Sequence, residues 1–463
     1  MSRVWNAVPD FFKQSDLRMV GGLLLLVYVV YALVNGFFAI VNNAGAVNAV
    51  VNSLASITFL MAVYAMMALA LNLHWGYTGL FNIGIAGFMA VGVYASAILV
   101  APPSGSPPGL GLPVPVAIVG GVLIAAIIGG IAALPALQLE ADYLAIVTVG
   151  FSEIIRLTLQ ASHFAGTVQN PSASGYNVVS IFGVEFGTGG GQGITTISNS
   201  PMEFLFEGES GPTVLGQAVY PAADAIGIPE PVVLDLAYAF FLLLVVVSLY
   251  YVLLLRIGNS PFGRVLKAIR EDDLVARSLG KDTRGFKIKV FMVGCGLMGL
   301  GGILWQGSFG FVNPNTFRPI LTFYIFTALI VGGAGSNTGS VVGGAVFAAF
   351  LFEGPKLAAR LIDAVAQLLF GGLPAPNNFY AAVVTLNPIA WLGYLVENVA
   401  SLKFVFLGAV IVYLMQNRSD GLLGDRKEIA SSVDLSQRPE RPSAAADGGE
   451  PSDTAPSQGG EGS

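Results

Sequence analysis

The fold class of this protein is decided by the segment VVLDLAYAFFLLLVVVSLYYVLLL, residues Val232–Leu255. It contains one charged residue, Asp235, and is otherwise almost entirely apolar. A helix needs about 20 predominantly apolar residues to cross the hydrocarbon core of a bilayer. A strand of a membrane barrel would instead alternate apolar and polar residues, which this segment does not do. The sequence therefore predicts a transmembrane helix here.

Similar apolar segments recur along the chain. Hydrophobic residues make up 54% of the 463 residues and charged residues only 11%, whereas about a quarter of the residues of a soluble domain are charged. We therefore predict an all-α polytopic membrane protein with about ten transmembrane helices, located in the cell membrane. The predicted spans are Val20–Val41, Val50–Leu71, Thr78–Val100, Leu112–Leu134, Asp142–Leu159, Val232–Leu255, Phe286–Trp305, Pro319–Gly332, Ser340–Leu361 and Phe404–Met415.

The basic residues predict the orientation of these spans. Three precede the first span and nine lie in residues 256–289, whereas residues 19–255 contain only Arg156. Lys and Arg concentrate in cytoplasmic loops, so both termini and residues 257–285 are predicted to be cytoplasmic. An even number of spans then places residues 160–231, which contain no Lys or Arg, on the extracytoplasmic side.

These signals divide the chain into three parts. Residues 1–19 are predicted to form a cytoplasmic N-terminus, residues 20–416 a transmembrane domain and residues 417–463 a cytoplasmic tail. From about residue 428 the tail contains almost no large apolar residue, a composition that predicts disorder. The extracytoplasmic segment 160–231 is rich in Gly, Ser and Pro, and a segment of this length is either an ordered cap or a loose loop.

The most unusual cytoplasmic segment is GRVLKAIREDDLVARSLGKDTRGFKIK, residues Gly263–Lys289, in which 12 of 27 residues are charged. Its apolar residues form no single stripe at helical spacing. Pro261 suits a helix start and Gly280 a helix end, so we predict two short helices that meet near Glu271–Asp273. Two interpretations remain open. The segment is either a solvated loop that only obeys the positive-inside rule or a docking element for a soluble cytoplasmic partner.

Two Gly-rich segments interrupt the predicted spans. The first, ALNLHWGYTGLFNIGIAGFMAVGVYASAIL, covers Ala70–Leu99, and the second, LIVGGAGSNTGSVVGGAVF, covers Leu329–Phe347. One interpretation is tight helix packing through small residues. The other is a broken or re-entrant helix that lines a translocation path, because Gly and Asn free backbone groups that must be satisfied elsewhere. The candidate residues are Asn72, Gly76, Gly79, Asn82, Gly84, Gly332, Gly333 and Gly335.

Glu153 and Arg156 are the only charged residues in the interior of the fifth predicted span. They lie three positions apart, so they share a helix face and can form an ion pair. Ionisable groups inside a membrane are costly, and we expect the pair to face the interior of the bundle. The pair is either structural or part of a transport path.

The sequence contains no motif for catalysis. It has no Ser/His/Asp set, no Walker lysine loop and no dinucleotide-binding glycine motif, so no catalytic residue is assigned. The single cysteine, Cys295, excludes an intrachain disulfide. The two histidines, His74 and His163, lack clustered ligands, so no metal site is expected. Energy for active transport must then come from another subunit or from an ion gradient.

Four segments of the chain carry recognisable motifs, and in chain order they are ALNLHWGYTGLFNIGIAGFMAVGVYASAIL, DYLAIVTVGFSEIIRL, SPFGRVLKAIREDDLVARSLGKDTRGFKIKVFMVGCGLMGLGGILW and PNTFRPILTFYIFTALIVGGAGSNTGSVVGGAVF. These segments resemble the LivM-type membrane permeases of branched-chain amino acid ABC importers. They follow the order of the family and cover somewhat over a quarter of the chain, and the third is the most specific. The closing GLLG, Gly421–Gly424, also looks like the end of the family's sequences.

The resemblance implies a role for the cytoplasmic loop. In such a permease the loop carries a coupling helix that inserts into a cytoplasmic ATPase, and Ala276 and Gly280 look like its Ala-x-x-x-Gly element. The residues that it implies for ATPase coupling are Arg264, Arg270, Glu271, Asp273, Ala276, Arg277 and Gly280.

The resemblance also implies partners. These are a homologous second permease subunit, two cytoplasmic ATP-binding subunits that use the ATP, an extracytoplasmic solute-binding protein and membrane lipid, without nucleic acid and without a cofactor bound by this chain. The chain would form half of the translocation path for branched-chain amino acids. Urea or another small polar solute is the alternative substrate, because urea-type permeases share most of these motifs. An ion-coupled secondary transporter or channel that uses Glu153 and Arg156 is the alternative of another class.

The chain departs from the family pattern in several places. HFAGTVQNPSASGY follows the fifth span where the family has a Thr-Gly-Gly-rich turn, and a long insertion precedes Pro231. The acidic tail is additional, and the proline found downstream of the Ala-x-x-x-Gly element in some importer permeases is absent. We therefore expect the docking of a solute-binding protein to differ from that of the family.

Overall fold

The computed structural model describes most of the chain. The described residues are 16–41, 45–137, 139, 141–166, 179–181, 184–196, 202–208, 211–307, 309–374, 376–384, 386–417 and 421–423. The tail from about residue 428, which the sequence predicts to be disordered, lies outside the described residues.

Helices make up most of the described residues, and six short strands accompany them. The helices are α1 (Asp16–Val41), α2 (Ala46–Leu71), α3 (Ile85–Val100), α4 (Val114–Ala136), α5 (Ala141–Gln160), α6 (Glu203–Phe206), α7 (Val214–Asp224), α8 (Glu230–Phe241), α9 (Val247–Asn259), α10 (Pro261–Glu271), α11 (Asp273–Ser278), α12 (Thr283–Gly307), α13 (Pro319–Gly332), α14 (Asn337–Val346), α15 (Gly354–Phe370), α16 (Phe379–Val384), α17 (Pro388–Glu397) and α18 (Val399–Asn417). The strands are β1 (Val179–Ile181), β2 (Val184–Phe186), β3 (Ile194–Thr195), β4 (Glu207–Gly208), β5 (Gly211–Pro212) and β6 (Phe311–Val312).

Seven helical segments among the described residues are long and apolar enough to cross a membrane. Two shorter apolar helices, α3 and α13, lie among them. The prediction of a helical polytopic membrane protein is therefore confirmed. The seven segments are Arg18–Val41, Ala46–Gly76, Val114–Ala136, Tyr143–Gln160, Glu230–Asn259, Thr283–Gly307 and Asn337–Leu369.

Helix α12 defines two ends of the bundle. It begins directly after α11 and ends directly before β6, and its 25 residues span about 37 Å at the rise of an α-helix. We call the end that carries α10 and α11 the loop end, and the end that carries β6 the far end. At the far end β3 pairs antiparallel with β6, with Ile194 opposite Val312. Tyr94, near the end of α3, donates a hydrogen bond to the Val312 carbonyl at 3.4 Å.

Helix α2 is the central helix of the bundle. Every residue from Met61 to Leu71 is buried, and the helix contacts α1, α8, α12, α13 and α14. A helix that is apolar on every side is surrounded either by lipid or by other protein segments, and α2 is surrounded by protein. The burial of α2 therefore explains why its sequence shows no amphipathic pattern.

Helices α3 and α12 cross at glycines. A Cβ atom added to Gly92 would lie 2.5 Å from the Cα atom of Gly299. Only glycine permits backbones of transmembrane helices to approach this closely. Tight packing is thus the correct interpretation for this part of the first Gly-rich segment.

The predicted span Thr78–Val100 is wrong at its start, because the helix begins only at Ile85. Gly79 has a φ of +70°, which takes the chain out of the helix that ends there. The amide of Ile83 then donates to the Thr148 hydroxyl at 2.9 Å instead of to a helical carbonyl. The first Gly-rich segment therefore contains a true helix break.

The predicted span Ser340–Leu361 is too short and is interrupted. Helix α14 begins at Asn337, a π-helical turn covers Phe347–Phe352, and α15 continues to Phe370. Pro355 occupies the first turn of α15, where a proline is tolerated. The interruption places Glu353 at the joint between two helices.

The segment 160–231, which the sequence predicts to be extracytoplasmic, forms an ordered cap in its described parts. β1 pairs with β2, with Val179 opposite Phe186. Farther along, the Tyr220 ring of α7 stacks on Phe206 of α6 with 6.0 Å between centroids. The Tyr220 hydroxyl donates to Glu207 Oε1 at 3.2 Å. Of the two predicted alternatives, the described residues therefore support the cap.

Candidate functional site

The charged loop, which the sequence predicts to be cytoplasmic, folds as two short helices, as predicted. Ser260 Oγ accepts a hydrogen bond from the Gly263 amide at 3.1 Å and caps α10. Asp272 Oδ1 accepts from the Leu274 amide at 2.8 Å and caps α11. Gly280, with a φ of +77°, follows the last turn of α11, as expected of a helix-ending glycine. The two helices therefore meet at a capping residue within the predicted range.

Helix α10 has a buried apolar face, although the apolar residues of the loop as a whole form no single stripe, as the sequence predicts. Leu266 is fully buried and Ile269 is 4% exposed. The Phe262 ring stacks on Phe286 of α12 at 5.1 Å between centroids. The whole segment shows no single stripe because the chain turns at Asp272, and the apolar residues of α10 and α11 therefore lie on different faces.

Helix α11 presents its larger apolar residues outward. Leu274, Val275 and Leu279 are 72%, 54% and 74% exposed, and we call these three residues the apolar patch. Exposed apolar clusters of this kind mark surfaces that a partner covers. The sequence predicted the charged residues of the loop as functional but not the patch. The sequence signal for the patch was that its three apolar residues do not belong to the helical stripe that α10 buries.

The residues predicted to couple to an ATPase divide into two groups. Ala276 is buried, and Arg270 and Asp273 are partly buried. Asp273 Oδ2 accepts from Arg277 Nη2 at 2.6 Å and from Lys287 Nζ of α12 at 3.3 Å, which ties α11 to the bundle. The exposed members are Arg264, Glu271, Arg277 and Gly280.

The two Gly-rich segments contact each other at the loop end. Asn72 Oδ1 accepts from the Gly335 amide at 2.8 Å, and Asn72 Nδ2 donates to Asn337 Oδ1 at 3.1 Å. Asn337 Nδ2 in turn donates to the Tyr77 hydroxyl at 2.8 Å. Asn72 and Asn337 lie 265 positions apart and are both buried. The structure thus brings together candidate residues from both halves of the chain.

Glycine is required at this contact. A Cβ atom on Gly76 would lie 2.7 Å from the Gly335 amide nitrogen. Gly333 and Gly335 have φ values of +106° and +93°, which L-residues with side chains rarely adopt. Together with Gly332, they form the turn between α13 and α14.

The remaining part of the first break is closed by His74, a residue that the sequence analysis did not select. Asn82 Nδ2 lies 3.2 Å from His74 Nδ1, and His74 Nε2 lies 3.2 Å from the Phe291 carbonyl oxygen. Asn82 Oδ1 accepts from the Gly84 amide at 2.8 Å. Because protein groups satisfy this buried break, the geometry favours packing over a water-lined path here.

Arg270 connects the cytoplasmic loop to this break. Its Nη1 donates to the Gly76 carbonyl, and a Cβ atom on Gly79 would be 3.5 Å from Arg270 Cγ. Lys267 Nζ lies 5.5 Å from the centre of the Tyr77 ring, within the range of a cation–π contact. We call Asn72, Gly76, Tyr77, Arg270 and Asn337 the junction.

The closing segment of the described chain also binds at the loop end. The Leu422 amide donates to the Val331 carbonyl at 2.8 Å, and the Leu423 amide donates to the Gly332 carbonyl at 3.1 Å. These bonds satisfy two carbonyls at the end of α13 that have no helical partner. The GLLG segment therefore stabilises the turn that forms half of the junction.

Glu153 and Arg156 form an ion pair at the far end of α5. Arg156 Nε donates to Glu153 Oε2 at 2.8 Å. Arg156 Nη1 also donates to Gln160 Oε1 at 2.9 Å and to Asn315 Oδ1 at 3.2 Å. The arginine thus fastens the chain after β6 to α5, which favours the structural interpretation of the pair.

A further group of charged residues lines a cavity at the far end and was missed in the sequence. Glu353, at the joint before α15, and Lys356 and Arg360 of α15 face the cavity, whose volume is about 300 Å³. Their spacing of three and four positions puts them on one helix face. Three ionisable residues at that spacing in the span Ser340–Leu361 were the signal, because such residues are rare in transmembrane segments.

Comparison with known families identifies the class of the protein. The family described as branched-chain amino acid transport system / permease component matches residues 53–373, which include the junction residues Asn72 to Asn337 and the whole cytoplasmic loop. The chain belongs to this family. The protein is therefore a multi-pass membrane permease, and the family is one of transport proteins and not a class of enzymes.

Individual relatives agree with the family. The high-affinity branched-chain amino acid transport system permease protein LivM of Escherichia coli (strain K12) is 32% identical over 320 residues, 68% of this chain and 66% of that protein. The alignment thus spans slightly less than two thirds of that relative. The probable branched-chain amino acid transport permease protein LivM of Methanocaldococcus jannaschii is 22% identical over 384 residues, 77% of this chain and 92% of that protein.

A permease with another named cargo is also similar. The autoinducer 2 import system permease protein LsrC of Yersinia pseudotuberculosis serotype IB (strain PB1/+) is 29% identical over 177 residues, 37% of this chain and 46% of that protein. No solved structure matches the chain.

Proposed function

We propose that this protein is the permease subunit of an ABC importer and forms half of a translocation path for branched-chain amino acids. Separate ATP-binding subunits use the ATP and drive the movement. The other partners in the proposal are a homologous second permease subunit and an extracytoplasmic solute-binding protein. Family membership and the names of the LivM relatives support the proposal.

The observation that carries the proposal is the connection between the apolar patch and the junction. The patch faces outward on α11, and Arg270 at the end of α10 binds the Gly76 carbonyl. A movement imposed on the loop therefore reaches the end of α2 and the turn between α13 and α14 through direct contacts. A loop that served only topology would need basic residues but no such connection.

The path of the described chain supports ten spans with both termini on the cytoplasmic side. The cytoplasmic loop, the break after α2 and the turn after α13 contact one another at the loop end. β3 and β6 pair at the far end, on the side assigned to the extracytoplasmic cap. In the proposed topology the chain crosses between these ends with α1, α2, α3, α4, α5, α8–α9, α12, α13, α14–α15 and α18.

The alternative of an ion-coupled transporter receives less support. Its proposed coupling residues, Glu153 and Arg156, bind each other and two neighbouring polar side chains at the far end. An ion-coupled protein also has no need of an apolar patch on a cytoplasmic loop. Urea or another small polar solute remains the alternative cargo within the family.

The test is whether the apolar patch holds the ATPase subunits. We predict that the double substitution Leu274→Asp and Leu279→Asp lowers co-purification of ATP-binding subunits with the tagged permease at least tenfold, while the permease level in the membrane is unchanged. The reason is that carboxylates inside a packed apolar contact lose their hydration without a partner. Glu271→Lys and Gly280→Trp are expected to act in the same direction.

Val214→Asp is the matched control, because Val214 is 86% exposed on α7 and lies in the extracytoplasmic cap. It should co-purify with the ATPase subunits as the wild type does. Normal co-purification and normal ATP-dependent uptake in all the loop variants would contradict the proposed function.

A further inference from the structure

The charged cavity at the far end has the composition of a binding site. It lies between α1, α2 and the start of α15, and Asn52, Ser53 and Ser56 of α2 face its three charged residues. Its volume of about 300 Å³ is at the lower limit for sites that bind small molecules. The cavity is at the opposite end of α2 from the junction.

The charges in the cavity have both signs and are open to it. Lys356 Nζ donates to Glu353 Oε1 at 2.7 Å, and the side chains are 40% and 21% exposed. Arg360 Nη1 donates to Asn35 Oδ1 at 3.3 Å, and Arg360 is exposed. A carboxylate and two cations therefore lie within two turns of one helix, each with surface that a ligand can contact.

These charges are poorly explained as a device for stability. Partly exposed ion pairs contribute little to folding, and ionisable residues in a membrane span are costly to insert. Uncharged residues of the same length would fill the space between α1, α2 and α15 without that cost. Binding of a charged ligand would explain why these three charged residues are present.

The lining of the cavity also includes apolar side chains. They are Ile57 and Leu60 of α2 and Leu357 of α15. Leu60 also lines a second cavity of about 70 Å³, which lies deeper in the bundle beside Met67 and Ile325. An aliphatic group in the first cavity thus has apolar surface beside it and further apolar space on the inner side of Leu60.

The arrangement favours a free solute over a lipid. A larger apolar cavity of about 720 Å³ lies on another side of α15, between α1 and α17, and Leu357 borders both. Ala358 and Ile362 face that apolar cavity, whereas Lys356 and Arg360 face the charged one. The described residues that line the apolar cavity are all uncharged, so a lipid chain held there would contact apolar side chains and not the three charges.

We propose that the charged cavity binds an aliphatic α-amino acid in its zwitterionic form. Glu353 accepts the ammonium group, Lys356 and Arg360 donate to the carboxylate, and the side chain contacts Ile57 and Leu60. This inference rests on the proposed function, because it names the place where the permease itself contacts the amino acid. The far end is the end at which a solute arrives from outside in the proposed topology.

The test measures binding of L-leucine to the purified full chain in lipid nanodiscs. We expect saturable binding of labelled leucine that unlabelled leucine displaces. Isoamylamine and 4-methylpentanoate, which each lack one of the two charges of leucine, should compete at least tenfold more weakly. Glycine should compete weakly because it lacks the aliphatic side chain, and urea should not compete. Equal competition by leucine and by either singly charged analogue would overturn the proposal.

Substitutions locate the binding in the cavity. Glu353→Gln and Arg360→Gln are each expected to raise the Kd for leucine at least tenfold, whereas Glu397→Gln, an exposed carboxylate on α17, leaves it unchanged. The exchange of Glu353→Lys with Lys356→Glu keeps an ion pair but reverses its order. Recovery of wild-type binding in the exchanged protein would show a merely structural pair and overturn the proposal.

Further arms of the experiment separate this inference from the proposed function and from lipid binding. Leucine uptake by the complete transporter with an unchanged KM in Glu353→Gln and Arg360→Gln would refute the site and leave the function standing. If those variants lose leucine binding but the complete wild-type transporter imports no leucine, the result would uphold the site and refute the function. Leucine binding abolished by phosphatidylethanolamine in the nanodisc would assign the cavity to a lipid headgroup and refute the site.

Discussion

The loop end and the far end of this permease use polar groups in opposite ways. At the loop end Asn72 and Asn337 are buried and bind each other, and Arg270 binds a backbone carbonyl. At the far end Lys356 and Arg360 line a cavity and retain exposed surface. Both groups lie next to the same helix, α2, at its two ends.

The difference separates two tasks. Polar groups whose partners are all protein groups hold two segments in one arrangement, so that a movement of one segment moves the other. Polar groups that line a space are available to a ligand. In the proposed function the loop end transmits movement, and in the proposed amino-acid site the far end contacts the solute.

The largest expected effect is that of Gly76→Leu, which tests whether the junction is a packed contact. A side chain at Gly76 would collide with the Gly335 amide, and the free energy of unfolding should fall by about 3 kcal/mol. The measurement is the thermal unfolding midpoint of the purified protein in detergent. Gly150→Leu is the control, because a Cβ atom on Gly150 has no neighbour within 4 Å. Equal midpoints for the two variants would refute a packed junction.

A smaller effect on stability and a larger one on transport are expected for Arg270→Ala. The substitution removes a charged hydrogen bond to the Gly76 carbonyl, which contributes about 2 kcal/mol. The apolar patch remains, so the ATPase subunits should still bind while uptake per ATP hydrolysed falls several-fold in proteoliposomes. Arg264→Ala, an exposed change on the same helix, should leave that ratio unaltered. If both variants transport equally well, Arg270 does not transmit the movement.

The smallest expected effect on stability is that of Arg360→Gln. Arg360 is exposed and makes one hydrogen bond of 3.3 Å to Asn35, so the unfolding free energy should change by less than about 1 kcal/mol. The same thermal unfolding measurement applies. A loss as large as that of Gly76→Leu would mean that both ends serve stability and would remove the contrast between them.

Local sequence signals predicted the elements of the site well. Both ends of α13, Pro319 and Gly332, agree with the predicted span. The two helices of the cytoplasmic loop and the terminating Gly280 also agree. Each of these features depends on residues within a few positions of one another, such as a proline in a first turn or a glycine with positive φ.

Contacts between residues that are distant in the chain could not be predicted from the sequence. Nothing within the first Gly-rich segment indicates that Asn72 binds Asn337, 265 positions away. Arg270 points into the bundle and Leu274 points outward. Both directions follow from the turn at Asp272 and from the packing of α10 on the bundle. The charged cavity was different, because the spacing of Glu353, Lys356 and Arg360 was visible and was overlooked.

The sequence by itself determined that this protein is a helical multi-pass membrane protein and which segment is its charged loop. Both conclusions follow from transfer free energies, which depend on the composition of each segment and not on its neighbours. Only the tertiary structure decided which polar groups are satisfied by protein and which line a cavity. Hydrogen bonds and cavities require groups to lie within a few ångströms, and the packing of separate helices alone determines those distances.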